Sequence, residues 1–543
     1  MFENFERLAQ DKSSKAWSLM HQCKSISRAM KKAHRDISSV SHNLDSIPSK
    51  DTADKLLNGY LRTKESLFRV LHIPSFNEEY ESFWAIKDTP GAAIDGVFLL
   101  QLKLVMAIGA ATLDEKFSLR HLAVQWVNDA AAQLTMPTSK SQLTLKSLKA
   151  MVLLCLAREM TGIGPDLIWI SIGALIRAAM YMGLHRDPIK LPNMTPFNAE
   201  MRRRLWTTIL EIAVQSSLDS GGSPLVSLTD FDTQPPGNFD DSQLVPNTPR
   251  NECSVAQAPE RYTQTSLSIA LRETFPARLA IAKFLNDLRS DGAAYQHTLN
   301  LDTHLKVAYK QLSKRLSVFS SRLTPFETRI IDFIMRRYFI TLHLPFFGQG
   351  LQDASYAYSR RVTVEASAKI WQVISGAGDM ALLSVCGSGS FRSIPVQACL
   401  IIAAELHALL LEDESLGPPT LRPDLLAVLH EAKTWTLQRI EAGETNIKGH
   451  LSLCGMVARI DSMVQGLSND ELQQVFAQSV EEAIKNCYTI LQGAYQNEQI
   501  TNVSTWLDDE LEFPNMELEF GGMESFFAPS WLLGDVPTAL DIW

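Results

Sequence analysis

Apolar residues return every three or four positions through most of this chain. Leu145, Leu148, Val152, Cys155 and Leu156 follow the rhythm of one helical face. Trp169, Ile172, Ile176 and Ala179/Met180 form a second stripe, opened by Gly164-Pro165-Asp166 and closed by Gly183. Pro is tolerated in a first turn because its missing N–H has no partner to lose there. Gly suits the left-handed residue that ends a helix, and Pro188 prevents resumption. Thr195-Pro196 predicts the next helix start, and Ser220-Gly221-Gly222-Ser223-Pro224 its end. Residues 225–262 are rich in Pro, Asp and Asn and read as a long loop. Helical spacing resumes at Leu305, Ala308, Leu312 and Leu316, then at Ile330, Phe333, Ile334 and Tyr338. Strand-type alternation is scarce and no repeat of fixed period is present. The pattern predicts an all-α fold: one large helical domain over 51–495, or two closely packed halves.

The two ends depart from this pattern through charge. Between Lys12 and Arg35 lie seven basic residues (Lys12, Lys15, Lys24, Arg28, Lys31, Lys32 and Arg35) and no acid. Trp17, Met20, Ile26 and Met30 are interleaved with them, which predicts a partly amphipathic helix. Such a segment is either a solvated helix packed on the body or a nucleic-acid or nuclear-import patch. A polar stretch, 41–51, reads as a linker, so 1–50 is set apart as a basic N-terminal segment.

The far end, 496–543, is the opposite. Residues 501–543 carry nine carboxylates and no Lys or Arg. The chain's formal charge is −9, so residues 1–500 are neutral overall and the tail carries all of it. Trp506, Asp508, Asp509, Phe513, Phe520, Phe526, Phe527 and Trp531 mix acids with aromatics, as disordered activation segments do. Mutual repulsion keeps such aromatics exposed and free to enter a partner's groove. The alternative is an inert tail, or one docked on its own domain.

A composition of 45% hydrophobic residues argues against a largely disordered chain. The longest apolar run, Val97–Thr112, is broken by Gln101 and Lys103, so no stretch reads as a membrane span. Seven scattered cysteines, none in C-x-x-C, suit a reducing compartment and supply no paired zinc ligands.

Patterns resembling catalytic motifs fail on inspection. His185-Arg186-Asp187 imitates a kinase catalytic loop, but Pro192 stands where the metal-binding Asn belongs. Asp230-Phe231-Asp232 lacks the required glycine, and Gly387-Ser388-Gly389-Ser390 is not a nucleophile elbow. No phosphate-binding Gly-rich motif and no H-E-x-x-H occur. No catalytic, cofactor or metal residues are assigned, and an enzyme is the remote alternative.

The segments that do match a family run in a fixed order. They are Tyr60-Leu-Arg62 with Leu67 through Phe76; Trp169 through Ala179; Met182-Gly183-Leu184-His185-Arg186-Asp187-Pro188; Glu200 through Trp206; Gln215 through Pro224; and Asp230 through Pro236. A later piece is Arg336-Arg337-Tyr338 with Leu342 through Phe346. Together they resemble the helical regulatory region of the fungal-specific transcription factors. The resemblance implies a nuclear regulator of RNA polymerase II-dependent genes, acting in a metabolic or biosynthetic pathway. It implies DNA and the transcription machinery as partners, a homo- or heterodimer, and control by a small molecule in some members. It also implies a preceding Zn2Cys6 zinc cluster, yet only Cys23 stands before Cys155. Either that module is missing from this sequence, or the protein is a cluster-less co-regulator or dimer partner that does not itself bind DNA. The matched residues themselves read as scaffold: Trp169 and Trp206 as core anchors, His72 and His343 as buried and hydrogen-bonded, His185 as packing locally, and Arg202, Arg203 and Arg204 as ion-paired around Glu200 and nearby loop acids.

Overall fold

A computed structural model describes residues 15–36, 44–90, 93–134, 143–164, 168–192, 194–246, 255–287, 295–412 and 422–502. The described residues are all-α, with no strand among them. The main helices are α1 (Lys15–Asp36), α2 (Lys50–Tyr60), α3 (Ile73–Ile86), α4 (Gly96–Ala110), α5 (Arg120–Gln133), α6 (Leu145–Thr161), α7 (Ile168–Tyr181), α8 (Pro196–Ser220), α9 (Ser266–Glu273), α10 (Phe275–Leu285), α11 (Tyr295–Ser317), α12 (Pro325–His343), α13 (Ala357–Ile374), α14 (Asp379–Cys386), α15 (Ser390–Glu412), α16 (Pro423–Glu441), α17 (Lys448–Val464) and α18 (Asn469–Asn502). They group into two compact units, one built on His34–Tyr338 with Val373–Ser393, the other on the described parts of 1–33, 339–372 and 394–543.

In the larger unit, the apolar run predicted from sequence becomes α4, buried from Phe98 to Ala110 and packed by α2, α5 and α6. Its two interrupting polar residues are satisfied inside the core. Gln101 donates to the Lys146 carbonyl at 2.7 Å, and Lys103 pairs with Asp129 at 2.8 Å. Asp95 caps the helix by accepting from the Val97 and Phe98 N–H groups. The helix ends predicted from sequence hold here. Thr195 accepts from the Asn198 N–H, and Gly183 and Gly221 adopt positive φ of 75° and 63°. Gly183 closes α7 with the paired backbone bonds of a left-handed cap, Leu184 N–H to Ala179 and Gly183 N–H to Met180. The proposed start at Pro165 lies outside the described residues.

In the second unit α1 lies against α17 and α18. Ala16 and Cys23 share one apolar core with Leu451, Cys454, Phe476, Val480, Ile484 and Cys487, and Leu19, Met20 and Ile26 pack on it. The buried seam of α1 is therefore Ala16, Cys23 and Met30. Trp17, expected on that face, is half-buried and stacks on His21 instead.

One expectation needs correction. Among the described residues α15 is long and apolar enough to cross a membrane by length and composition, although the pattern singled out no such stretch. Half of its apolar window is buried in the fold, and its Glu405 pairs with Arg360 at 2.7 Å. A buried carboxylate with a partner on a neighbouring helix marks α15 as a core helix.

Candidate functional site

Two matched segments, Leu67 through Phe76 and Glu200 through Trp206, meet in the larger unit at a buried charge network. Its hub is Asp241, which the long loop supplies and which is 2% exposed. One carboxylate oxygen, Oδ1, accepts from Arg69 Nη2 and from Arg204 Nη1, both at 2.6 Å. The other, Oδ2, accepts from the Ile73 N–H at 2.8 Å. The Asp241 carbonyl lies 3.0 Å from His72 Nε2, while His72 Nδ1 meets Ser75 Oγ at 2.8 Å. Burial would raise the Asp241 pKa, but the charges of Arg69 and Arg204 outweigh it and hold the carboxyl down at about 2.

Glu65 sits beside this hub with no solvent exposure. It accepts from Tyr60 Oη at 2.6 Å and from the Val70 and Leu71 N–H groups. Burial dominates over the opposing charge of Arg69 and raises its pKa to about 7. Arg69 itself takes a left-handed backbone, φ 52°, unusual for a residue with a side chain. Its buried guanidinium, bonded to Asp241, holds the chain there.

Glu65 predicts a specific pH response. Its folded-state pKa lies above the ordinary 4.5, so between about 4.5 and about 7 the native chain holds more protons than the unfolded one. Stability contributed by the protonated carboxyl is therefore present below the lower value and is lost as pH rises through the upper one. Against Glu65→Gln, which cannot ionise, the wild-type urea midpoint should fall across this window, by on the order of 1 kcal/mol per pH unit. Parallel pH profiles for the two proteins would contradict the assignment.

A second knot ties the loop to the start of α8. Asp187 accepts from Arg203 Nη2 at 2.8 Å and from the Ile189 and Gln234 N–H groups. Glu200 takes Arg203 at 2.6 Å and the Gly237 N–H at 2.7 Å. A third, on α8 and α10, is a bidentate pair of Arg278 with Glu211, both bonds 2.6 Å. The expected ion-paired role thus holds for Arg203 and Arg204. It fails for Arg202, whose guanidinium donates to the Met182 carbonyl, so this residue caps the end of α7. Trp206 is a core anchor at 1% exposure, and His185 packs near its ring. Trp169 is only half-buried, beside Gly222, because α7 turns that position outward. His72 and His343 are buried and hydrogen-bonded as expected.

Lys15, Lys24, Arg28 and Lys31 are exposed on α1, and the backbone of Lys32 and Arg35 continues that helix. Lys12 lies outside the described residues. So do Trp506, Asp508, Asp509, Phe513, Phe520, Phe526, Phe527 and Trp531. Partial burial, then the charges of Arg28 and Lys448, lower the Lys24 pKa, so α17 adds an exposed Lys448 to the basic face. Sequence reading missed Lys448 because it is remote in the chain. It also passed over Glu65 and Asp241, whose only signal was an acid set between matched arginines and a second acid in an acid-rich loop.

Hidden thiols complete the chemistry. Cys23, Cys155, Cys386, Cys399, Cys454 and Cys487 are free and buried. Burial pushes Cys23 and Cys454 up to about 11, and Cys155 and Cys487 up to about 12, which disfavours the thiolate that zinc requires. These residues do not fit a binuclear zinc cluster.

Comparison with known proteins matches residues 57–325 to the fungal specific transcription factor domain. The chain is 30% identical to the transcription factor opdR of Penicillium oxalicum, over 93% of this chain and 68% of that protein. The chain belongs to the fungal-specific transcription factor family. It is also 29% identical to the transcription factor lepE of Aspergillus flavus, covering 90% of this chain and 61% of the relative. The aspyridones cluster regulator apdR of Emericella nidulans is 28% identical, over 76% of this chain and 58% of its own length. The chain thus spans roughly three-fifths to two-thirds of these relatives. Its family is one of transcription regulators, not enzymes. In this family member the signature residues Arg69, Asp187, Glu200, Arg203, Arg204 and Gln234 take part in the buried charge pairs that hold the loop.

Proposed function

We propose that this chain regulates transcription of a fungal biosynthetic gene cluster from within the nucleus. The observation that carries the reading is the alignment of 93% of the chain with a transcription factor. The relative apdR, a named cluster regulator, supports the biosynthetic class. In this reading the helical body is the regulatory scaffold. The tail, with nine acids and interleaved aromatics over 501–543, is the activation segment that recruits transcription machinery. Helix α1 buries its apolar seam and leaves Lys15, Lys24, Arg28 and Lys31 exposed, a disposition suited to phosphate contact or nuclear import.

Deleting the gene in its host should change transcript levels of a linked set of biosynthetic genes, and deleting 496–543 alone should reproduce the loss of activation. Unchanged transcripts across the genome in the full deletion would sink the regulator reading. Promoter occupancy that drops when the exposed cations of α1 are replaced by Ala supports direct DNA contact. Occupancy unaffected by those changes favours recruitment by another factor.

A further inference from the structure

Two stretches of the chain share one arrangement: two adjacent bases, one further residue, a hydroxyl and an apolar residue. They are Lys314-Arg315-Leu316-Ser317-Val318 and Arg360-Arg361-Val362-Thr363-Val364. No other adjacent basic pair has Ser or Thr two places on. A basophilic protein kinase reads this pattern by charge. Carboxylates in its substrate groove pair with the two cations, and an apolar pocket takes the residue after the acceptor.

Burial separates the two stretches. Thr363 lies within α13, is fully buried, and its Oγ1 donates to the Ser359 carbonyl at 2.7 Å. Its upstream Arg360 is held by Glu405 and Glu412. A kinase cannot reach this hydroxyl while α13 is folded. Ser317 is the last residue of α11, is exposed, and is followed by a turn over 318–322. Lys314 is exposed and Val318 is 61% exposed. Arg315 pairs with Glu273 at the surface, where an ion pair is weak and gives way easily. Ser317 Oγ donates to the Lys314 carbonyl at 2.7 Å, a bond within the last helical turn, and helix ends fray most cheaply. Opening that turn also withdraws the buried Leu316, so the intact chain should react more slowly than the isolated segment.

We propose that Ser317 is a phosphorylation site for a basophilic protein kinase. The Ser317 Oγ attacks the γ-phosphorus of magnesium ATP held by the kinase. The P–O bond to ADP breaks, the hydroxyl proton passes to the kinase's carboxylate base, and ADP leaves. The added dianion sits where the helix carbonyls are already partly negative, which loosens the last turn of α11, and it competes with Glu273 for Arg315. A change in gene expression on modification rests on the transcription-regulator reading. The acceptor assignment does not.

The full chain is incubated with magnesium ATP and the purified catalytic subunit of cAMP-dependent protein kinase, and the product is mapped by mass spectrometry. A digest with a glutamate-specific protease, which frees both stretches from the fold, is treated in parallel. The intact chain should gain phosphate at Ser317 and not at Thr363, and the digest at both. Ser317→Ala changes an exposed hydroxyl, should fold, and should lose the label. Arg315→Gln should slow labelling about tenfold, as expected for losing one charge-assisted contact. Labelling of Ser317 in the digest alone would overturn the proposal. So would no labelling of Ser317 in either sample, equal labelling of Thr363 in the intact chain, or an undiminished rate in Arg315→Gln.

Discussion

Replacing Asp241 with Asn should lower the stability of the larger unit by about 3–5 kcal/mol, the range seen when one partner of a buried ion pair is removed. Asn keeps the size of the side chain and one acceptor. It removes the negative charge that two buried guanidiniums share at 2.6 Å each. Arg69 and Arg204 would then face each other without the carboxylate they share, in a medium that solvates neither. The loop that carries Asp241 would also lose its anchor to the Ile73 N–H. The measurement is a urea titration with hydrogen exchange across 229–246, which should open first. Arg204→Met in the Asp241→Asn background should recover part of the loss, since it removes one stranded cation. The advantage of the wild type over Asp241→Asn should be fully present above about pH 3.8 and lost as pH falls through about 2, because the folded pKa is depressed. A cost under about 1 kcal/mol would show that the network is not a structural keystone.

Gly109→Ala should be nearly as damaging, through sterics. A Cβ there would stand 1.9 Å from the Leu56 carbonyl oxygen, which belongs to backbone and cannot rotate away. On the facing helix, a Cβ on Gly59 would meet Thr112 Oγ1 at 2.3 Å. Helices α2 and α4 thus touch backbone to backbone, and the extra methyl must separate them. The expected loss is about 3 kcal/mol or more, since α4 is buried on every side and cannot shift outward. Gly493→Ala supplies the contrast. Nothing lies within 4 Å of that position in α18, so better helix propensity should stabilise it by about 0.5–1 kcal/mol. Equal thermal shifts for the two variants would refute the close-approach argument.

Both predictions rest on features that no periodicity discloses. The apolar run at Val97–Thr112 is visible in the sequence, but Gln101 and Lys103 look like interruptions. Only packing explains them, because each reaches a partner from another helix, the Lys146 carbonyl and Asp129. Arg203 and Arg204 also look alike along the chain. Arg203 pairs with Glu200, one turn away and within reach of spacing rules, and Arg204 with Asp241 on a distant loop.

What the sequence determined by itself is what short-range physics encodes. Helical spacing, Thr195 as a cap, Gly183 and Gly221 as left-handed stops, and the neutral body with a basic start and an acidic finish are local properties, and they can be read residue by residue. The ordered signature segments were enough to point to the family. Tertiary structure decided which polar groups share a low-dielectric interior. Glu65, Arg69, Arg204 and Asp241 come from separate stretches, and their protonation and pairing depend on distance through space. Electrostatic energy in a buried site depends on that separation and on lost hydration, neither of which is written in the order of residues.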